Sequence, residues 1–224
     1  MIKDPSTINT TIFKQQNFHS IQIMQLINII AQRVLTSLTT VPTTQQGWIQ
    51  VASITAMTTA AAGIGSVATG YVDPIRDYSP PKSIWKPLSA FVFPGLFEEL
   101  IWRAALIPTP PAPLLSFSSI FLQAPNTQQL ALYTTALVVL ALHVCSHPFL
   151  TKPVYPRGQK VFSDPTFLFL ATIVLGGTTL SYIVSGGSVW CAAITHGLPV
   201  ALWRDYFGGE QALRGYIRNK DVEK

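Results

Sequence analysis

The chain has 224 residues, of which 48% are hydrophobic and only 11% charged, with a formal net charge of +5. A soluble domain carries roughly one quarter charged residues, so an ordinary soluble enzyme is excluded. The basic residues form no cluster, which argues against a nucleic-acid partner. No Lys, Arg, Asp or Glu lies between Arg33 and Asp73, between Arg103 and Lys152, or between Asp164 and Arg204. Each of these runs exceeds the roughly 20 apolar residues that cross a bilayer. The chain therefore reads as an all-α, polytopic transmembrane helix bundle of about five spans, with four to six open. The short alternating segments of a β-barrel are missing.

In chain order, residues 1–46 read as an N-terminal interfacial, amphipathic segment. Gln22, Gln25, Asn28 and Gln32 recur there at helical spacing among apolar neighbours. The start lacks the basic residues, short apolar core and small-residue site of a signal peptide, so the first spanning helix is expected to direct insertion. Residues 47–207 form the transmembrane domain. Its first span covers 47–71, with Ala62, Ser66 and Gly70 at four-residue steps that favour close helix packing. The second covers 86–107 and ends at the helix-breaking run "PTPPAPLL". The third covers 128–150, the fourth 166–184 and, after the turn "VSGGSVW", the fifth 188–207. Residues 208–224 form a basic tail. Cys145 and Cys191 sit in apolar runs and read as small packing residues.

The loops carry an orientation. Arg76, Lys82 and Lys86 follow span one, Lys152, Arg157 and Lys160 follow span three, and Arg204, Arg214, Arg218, Lys220 and Lys224 lie near or beyond the end of span five. The loops after spans two and four hold no Lys or Arg. This alternation places the C-terminus in the cytoplasm. Five spans would put Lys3 and Lys14 on the outside, and a further span over residues 18–40 would remove that conflict.

The second span reads "FPGLFEELIWRAAL" and holds Glu98, Glu99 and Arg103. Glu99 and Arg103 are four apart and face each other, while Glu98 is rotated about 100° away. A charge at bilayer depth costs at least about 2.5 kcal/mol, so three ionisable groups need a reason. A lone Glu–Arg pair would serve helix packing; the extra Glu98 would not. His143 and His147 lie one turn apart in span three, and His196 lies in span five. Each histidine alone reads as a packing residue, but three beside a diglutamate point to chemistry. Pro94, Pro148 and Pro199 lie beside these groups. Each frees a carbonyl one turn back, which at membrane depth calls for protein or water partners.

"EELIWR" matches the EExxxR motif of the CPBP family, the CAAX-prenyl-protease and bacteriocin-processing (Abi) intramembrane proteases. "HVCSHP" resembles the family's FxxxH motif, with His147 in the His position and His143 where Phe is usual. His196 matches the first position of HxxxN/D, with Val200 in place of the Asn or Asp. The resemblance covers residues 84–207. It implies that Glu98 activates a water, His147 holds or deprotonates it, His196 stabilises the oxyanion, and Glu99 and Arg103 hold the site together. His143 is a candidate binding residue. The expected function is an intramembrane endopeptidase acting on peptides or proteins at the lipid bilayer, with no cofactor. A zinc-dependent version would use Glu98, His147 and His196 as ligands, although no HExxH signature is present. Val200 keeps open a non-catalytic member acting as a membrane binding or immunity protein. The lack of an internal repeat argues against a transporter.

Overall fold

The computed structural model describes residues 5–111 and 125–214. The end of the proline-rich run after span two, and the basic tail beyond residue 214, lie outside the described residues. All regular structure among the described residues is helical. The six main segments are α1 (Pro5–Thr39), α2 (Gln45–Ala68), α3 (residues 85–105), α4 (Thr127–Leu150), α5 (Pro165–Val184) and α6 (Val189–Ala201). Four stretches are long and apolar enough to cross a membrane: Ile21–Thr39, Gln45–Ala68, Thr127–Leu150 and Pro165–Val184. With the interrupted α3 and the shorter α6, the bundle matches the five expected spans to within a few residues. The N-terminal segment adds one long helix.

The helix starts follow from local chemistry. Thr44 caps α2 by accepting from the Gly47 N–H, and Asp164 caps α5 ahead of a proline at the first helical position. Asn126 and Gln129 form a reciprocal capping box on α4. Ser188 caps α6 by accepting from the Cys191 N–H. These side chains satisfy amide donors that a helix cannot pair for itself. The α5–α6 turn is made by Gly186 and Gly187, with φ of 74° and 96°, a region that residues with a Cβ avoid.

The second span is not one regular helix. It runs from α-helical turns over Trp85–Ala90 into wide i→i+5 turns over Phe91–Leu96, then Phe97–Glu99, then wide turns again over Leu100–Ala105. Phe93, just before Pro94, takes extended dihedrals of −139° and 119° and breaks the rod. A residue before proline is pushed out of the helical region, so the sequence dictates this break. Gly95 and Gly197 let the broken segment press onto α6. A Cβ on Gly95 would lie 3.3 Å from the Ala193 carbonyl oxygen, and one on Gly197 would lie 3.0 Å from Phe91 Cα.

Helix α5 lies at the centre, packed against α2, α4 and α6. Leu132, Ala136 and Val139 of α4 meet Tyr182 and Ile183 of α5 in one buried cluster. Val51 and Ile54 of α2 meet Cys191 of α6 in another, and Thr55 Oγ1 lies 2.7 Å from Thr195 Oγ1. These contacts make α2 and α6 parallel neighbours in a fixed register. Ser37 of α1 donates to the Gly187 carbonyl at 2.7 Å, and Trp190 Nε1 donates to the Leu38 carbonyl at 2.8 Å. The end of α1 is thereby tied to the α5–α6 turn. Outward residues such as Met57, Ile64, Leu137 and Leu142 stay exposed, as lipid-facing positions should.

The α2–α5 contact is the tightest. A Cβ on Gly177 would fall 1.9 Å from Thr58 Oγ1 and 2.8 Å from Thr58 Cβ, so no rotamer change relieves it. Gly177→Ala should force the helices apart and destabilise the fold by about 1–3 kcal/mol. The neighbouring Gly176→Ala, whose Cβ would meet only Leu140 Cδ2 at 4.0 Å, should leave stability unchanged or raise it. Thermal unfolding of both variants in detergent checks the contrast.

Candidate active site

Glu98 and Glu99 sit on the short helical turn Phe97–Glu99, between the two wide stretches of α3. Consecutive helical residues point about 100° apart, and the two carboxylates part accordingly. Glu99 turns inward and is fully buried, whereas the Glu98 side chain keeps 24% of its surface exposed. Only Glu98 can meet water or a ligand directly.

Glu99 and Arg103 form the expected i,i+4 pair, with Arg103 Nε 3.1 Å from Glu99 Oε2 and Nη1 3.2 Å from Oε1. Arg103 is also fully buried and reaches three other groups. Its Nη2 donates to the Leu175 carbonyl at 3.0 Å and to Thr179 Oγ1 at 3.2 Å, both on α5, and its Nη1 lies 2.6 Å from His143 Nδ1 on α4. His196 Nδ1 on α6 lies 2.7 Å from Glu99 Oε1. The pair is therefore the meeting point of α3, α4, α5 and α6.

The histidine protons follow from these partners. A guanidinium can only donate, so His143 Nδ1 accepts. In the neutral ring Nε2 then carries the proton and donates to Glu98 Oε2 at 3.0 Å. Trp102 stacks on the His143 ring at 4.6 Å and 12°, and His147 also stacks on it, at 5.2 Å and 20°. His147 Nδ1 donates to the His143 carbonyl at 2.9 Å, which leaves its Nε2 with a free lone pair. His196 donates from Nδ1 to Glu99 and keeps Nε2 for other partners.

Glu98, His143, His147 and His196 all line one cavity of about 510 Å³. Its walls are otherwise mainly apolar, with Phe93, Ile101, Trp102 and Phe167 among them, and it extends to Tyr155 and Phe207. That end lies beside the short helical turns that hold Arg157, Lys160 and Arg204. All six residues singled out in the sequence lie in or directly beneath this cavity. Glu98 takes its hydrogen bond from His143, one turn before the residue that the resemblance aligned with the motif. The remaining partners, Thr179, the Leu175 carbonyl and the Trp102 stack, have no signature in the sequence beyond Trp102 standing four residues after Glu98.

Ligand atoms of Glu98, His143 and His147 come within 4.8 Å of one another. This set holds His143 where the zinc reading of the sequence had His196. It does not suit a three-ligand zinc centre. His143 accepts from Arg103 on one nitrogen and carries its proton on the other, so it has no lone pair left for a metal. Zinc needs three protein ligands besides its water, and this cluster offers two.

The fold and the site together define an integral membrane protein with a glutamate–histidine centre sunk among its helices. A family model, Type II CAAX prenyl endopeptidase Rce1-like, matches residues 80–202, more than half of the chain. The chain belongs to that family of CAAX-type membrane proteases. No curated protein and no solved structure matches it.

Removing one partner of a buried ion pair leaves an uncompensated charge and costs about 3–5 kcal/mol. Arg103→Met should therefore destabilise the protein by that amount, and Glu98→Gln, at a partly exposed position, by far less. Unfolding midpoints in detergent measure both. Equal stability of Arg103→Met and wild type would remove the structural role given to the pair.

Proposed function

We propose that this protein is an intramembrane endopeptidase in which Glu98 activates a water for attack on a peptide bond of a membrane-associated substrate. The observation that carries this reading is the division of labour between the two glutamates. Glu99 is consumed by Arg103 and His196, while Glu98 is left open to the cavity with one stabilising bond from His143.

The chemistry runs on this chain's own groups. A water held between Glu98 and His147 Nε2 gives its proton to the Glu98 carboxylate as its oxygen bonds to the carbonyl carbon. The carbonyl electron pair moves onto oxygen and forms the tetrahedral oxyanion. His196 acts as the oxyanion donor only with a proton on Nε2 as well as the Nδ1–H that it gives to Glu99. In that form it presents its Nε2–H to the oxyanion. The intermediate collapses with cleavage of the C–N bond, and Glu98 passes its proton to the leaving amine. His143 holds the Glu98 carboxylate in place, and Arg103 holds His143.

The apolar walls suit a substrate with a lipid-like portion, in keeping with the prenylated C-terminal substrates for which the family is named. The basic residues Arg157, Lys160 and Arg204 near the Tyr155–Phe207 end of the cavity support a cytoplasmic entrance and a cytoplasmic C-terminus. Six membrane segments would also bring Lys3 and Lys14 to that side. The lipid bilayer is the one constant partner in this reading, and no cofactor takes part. One observation favours a non-catalytic member: Val200 lines the cavity one turn from His196 and has no donor to offer.

The test is cleavage of a farnesylated peptide ending in a Cys-a-a-X sequence by the purified protein in detergent or vesicles. Wild type should cleave it, and Glu98→Gln should reduce kcat to background with an unchanged unfolding midpoint. Activity should persist in 1,10-phenanthroline. Retained cleavage by Glu98→Gln would sink the mechanism, and loss of wild-type activity to the chelator would replace it with a metal-dependent one.

A further inference from the structure

The feature that the mechanism leaves unused is a threonine. Thr59 Oγ1 of α2 is buried and has no hydrogen-bond partner among the described residues. Threonines inside helices usually donate to the carbonyl one turn back. Thr135, Thr172, Thr178, Thr179 and Thr195 all do so here, at 2.8–2.9 Å. An unpaired buried hydroxyl costs about 1–3 kcal/mol, so its retention calls for a ligand that pairs with it.

The place of this hydroxyl follows from the register of α2 on α6. Val51 packs in one cluster with Cys191, and Thr55 hydrogen-bonds Thr195 at 2.7 Å. The helices run parallel, so one further turn, about 5.4 Å along each, brings Thr59 level with Pro199. Thr59, His196, Pro199 and Val200 all line the cavity that holds Glu98. An oxyanion forming there is offered one donor by His196, while Val200 on the next turn offers none. Thr59 is the unpaired donor facing that turn from the opposite helix.

We propose that the Thr59 hydroxyl donates a hydrogen bond to the oxyanion of the tetrahedral intermediate, beside His196 and in the space that Val200 leaves without a donor. This rests on the peptidase reading above. No proton changes hands: as water bonds to the carbonyl carbon and the π pair moves onto oxygen, the Thr59 O–H stays intact and its hydrogen bond strengthens. A donor matched to the oxyanion favours the transition state over the bound substrate, so its loss falls on kcat and not on KM.

The experiment measures kcat and KM on the farnesylated Cys-a-a-X peptide for wild type, Thr59→Val, Thr59→Ala, Thr59→Ser and Glu98→Gln, with unfolding midpoints for each. Thr59→Val and Thr59→Ala should lose about 100-fold in kcat, the scale of one oxyanion donor, with KM little changed. Thr59→Ser should stay near wild type, and adding Val200→Asn to Thr59→Val should recover activity. If wild type cleaves and both Thr59→Val and Thr59→Ala match it, or Thr59→Ser falls as far as they do, Thr59 is no donor and the peptidase reading stands. If wild type fails to cleave, the peptidase reading falls and takes this assignment with it; if Glu98→Gln cleaves as well, the Glu98 mechanism falls while the Thr59 variants still decide the oxyanion donor.

Discussion

The arrangement of the site depends on where one guanidinium can be buried. Arg103 has no exposed surface, and a fully buried cation is tolerated only when its donors are met. Glu99 on its own helix, His143 on α4, and the Leu175 carbonyl and Thr179 on α5 accept from its two terminal nitrogens, while Nε makes no hydrogen bond and stands 3.1 Å from the Glu99 Oε2 charge. Through Glu99 the network reaches His196 on α6. Four helices are thereby held to one another by a group that cannot relax without stranding a charge in a medium that cannot solvate it. Helix packing in a bilayer has little hydrophobic drive of its own, so such a polar knot, with close glycine contacts, supplies what a soluble core draws from water.

That knot also explains the irregular course of α3. A straight helix entering at Trp85 would have no reason to bring Glu98 and Glu99 to their partners. Phe93 and Pro94 break it, the wide turns on either side reset its phase, and Gly95 and Gly197 let the backbone come within touching distance of α6. Wide turns of this kind are costly and recur at functional sites. Here they flank the regular turn on which two adjacent carboxylates divide, one into the protein and one toward the cavity.

The spans were legible because the bilayer leaves few choices: long charge-free runs must be helices, and their ends fall where capping residues and prolines stand. The Glu99–Arg103 pair was legible for the same local reason, four residues on one helix face. What lay beyond reach was every contact that depends on how helices meet. His143 and His147 share a face and differ by one turn, and nothing in the spacing says which ring reaches Glu98. Arg103 finds Thr179 and Leu175 more than seventy positions away, on a helix whose rotation no local pattern encodes. The interruption of α3 was half visible, in Pro94, but the wide turns follow from packing on α6.

The shape of the cavity bears on the problem that any hydrolysis inside a membrane faces. The reaction consumes water, yet water is scarce among lipid chains and a charged base is costly to bury there. Here Glu98, His143, His147 and His196 share a space whose other walls are mainly apolar and which extends to Tyr155 and Phe207. The two glutamates thus take two places that one carboxylate could not: Glu98 on the cavity wall, and Glu99 as the counter-charge that keeps Arg103 and His196 in place beneath it.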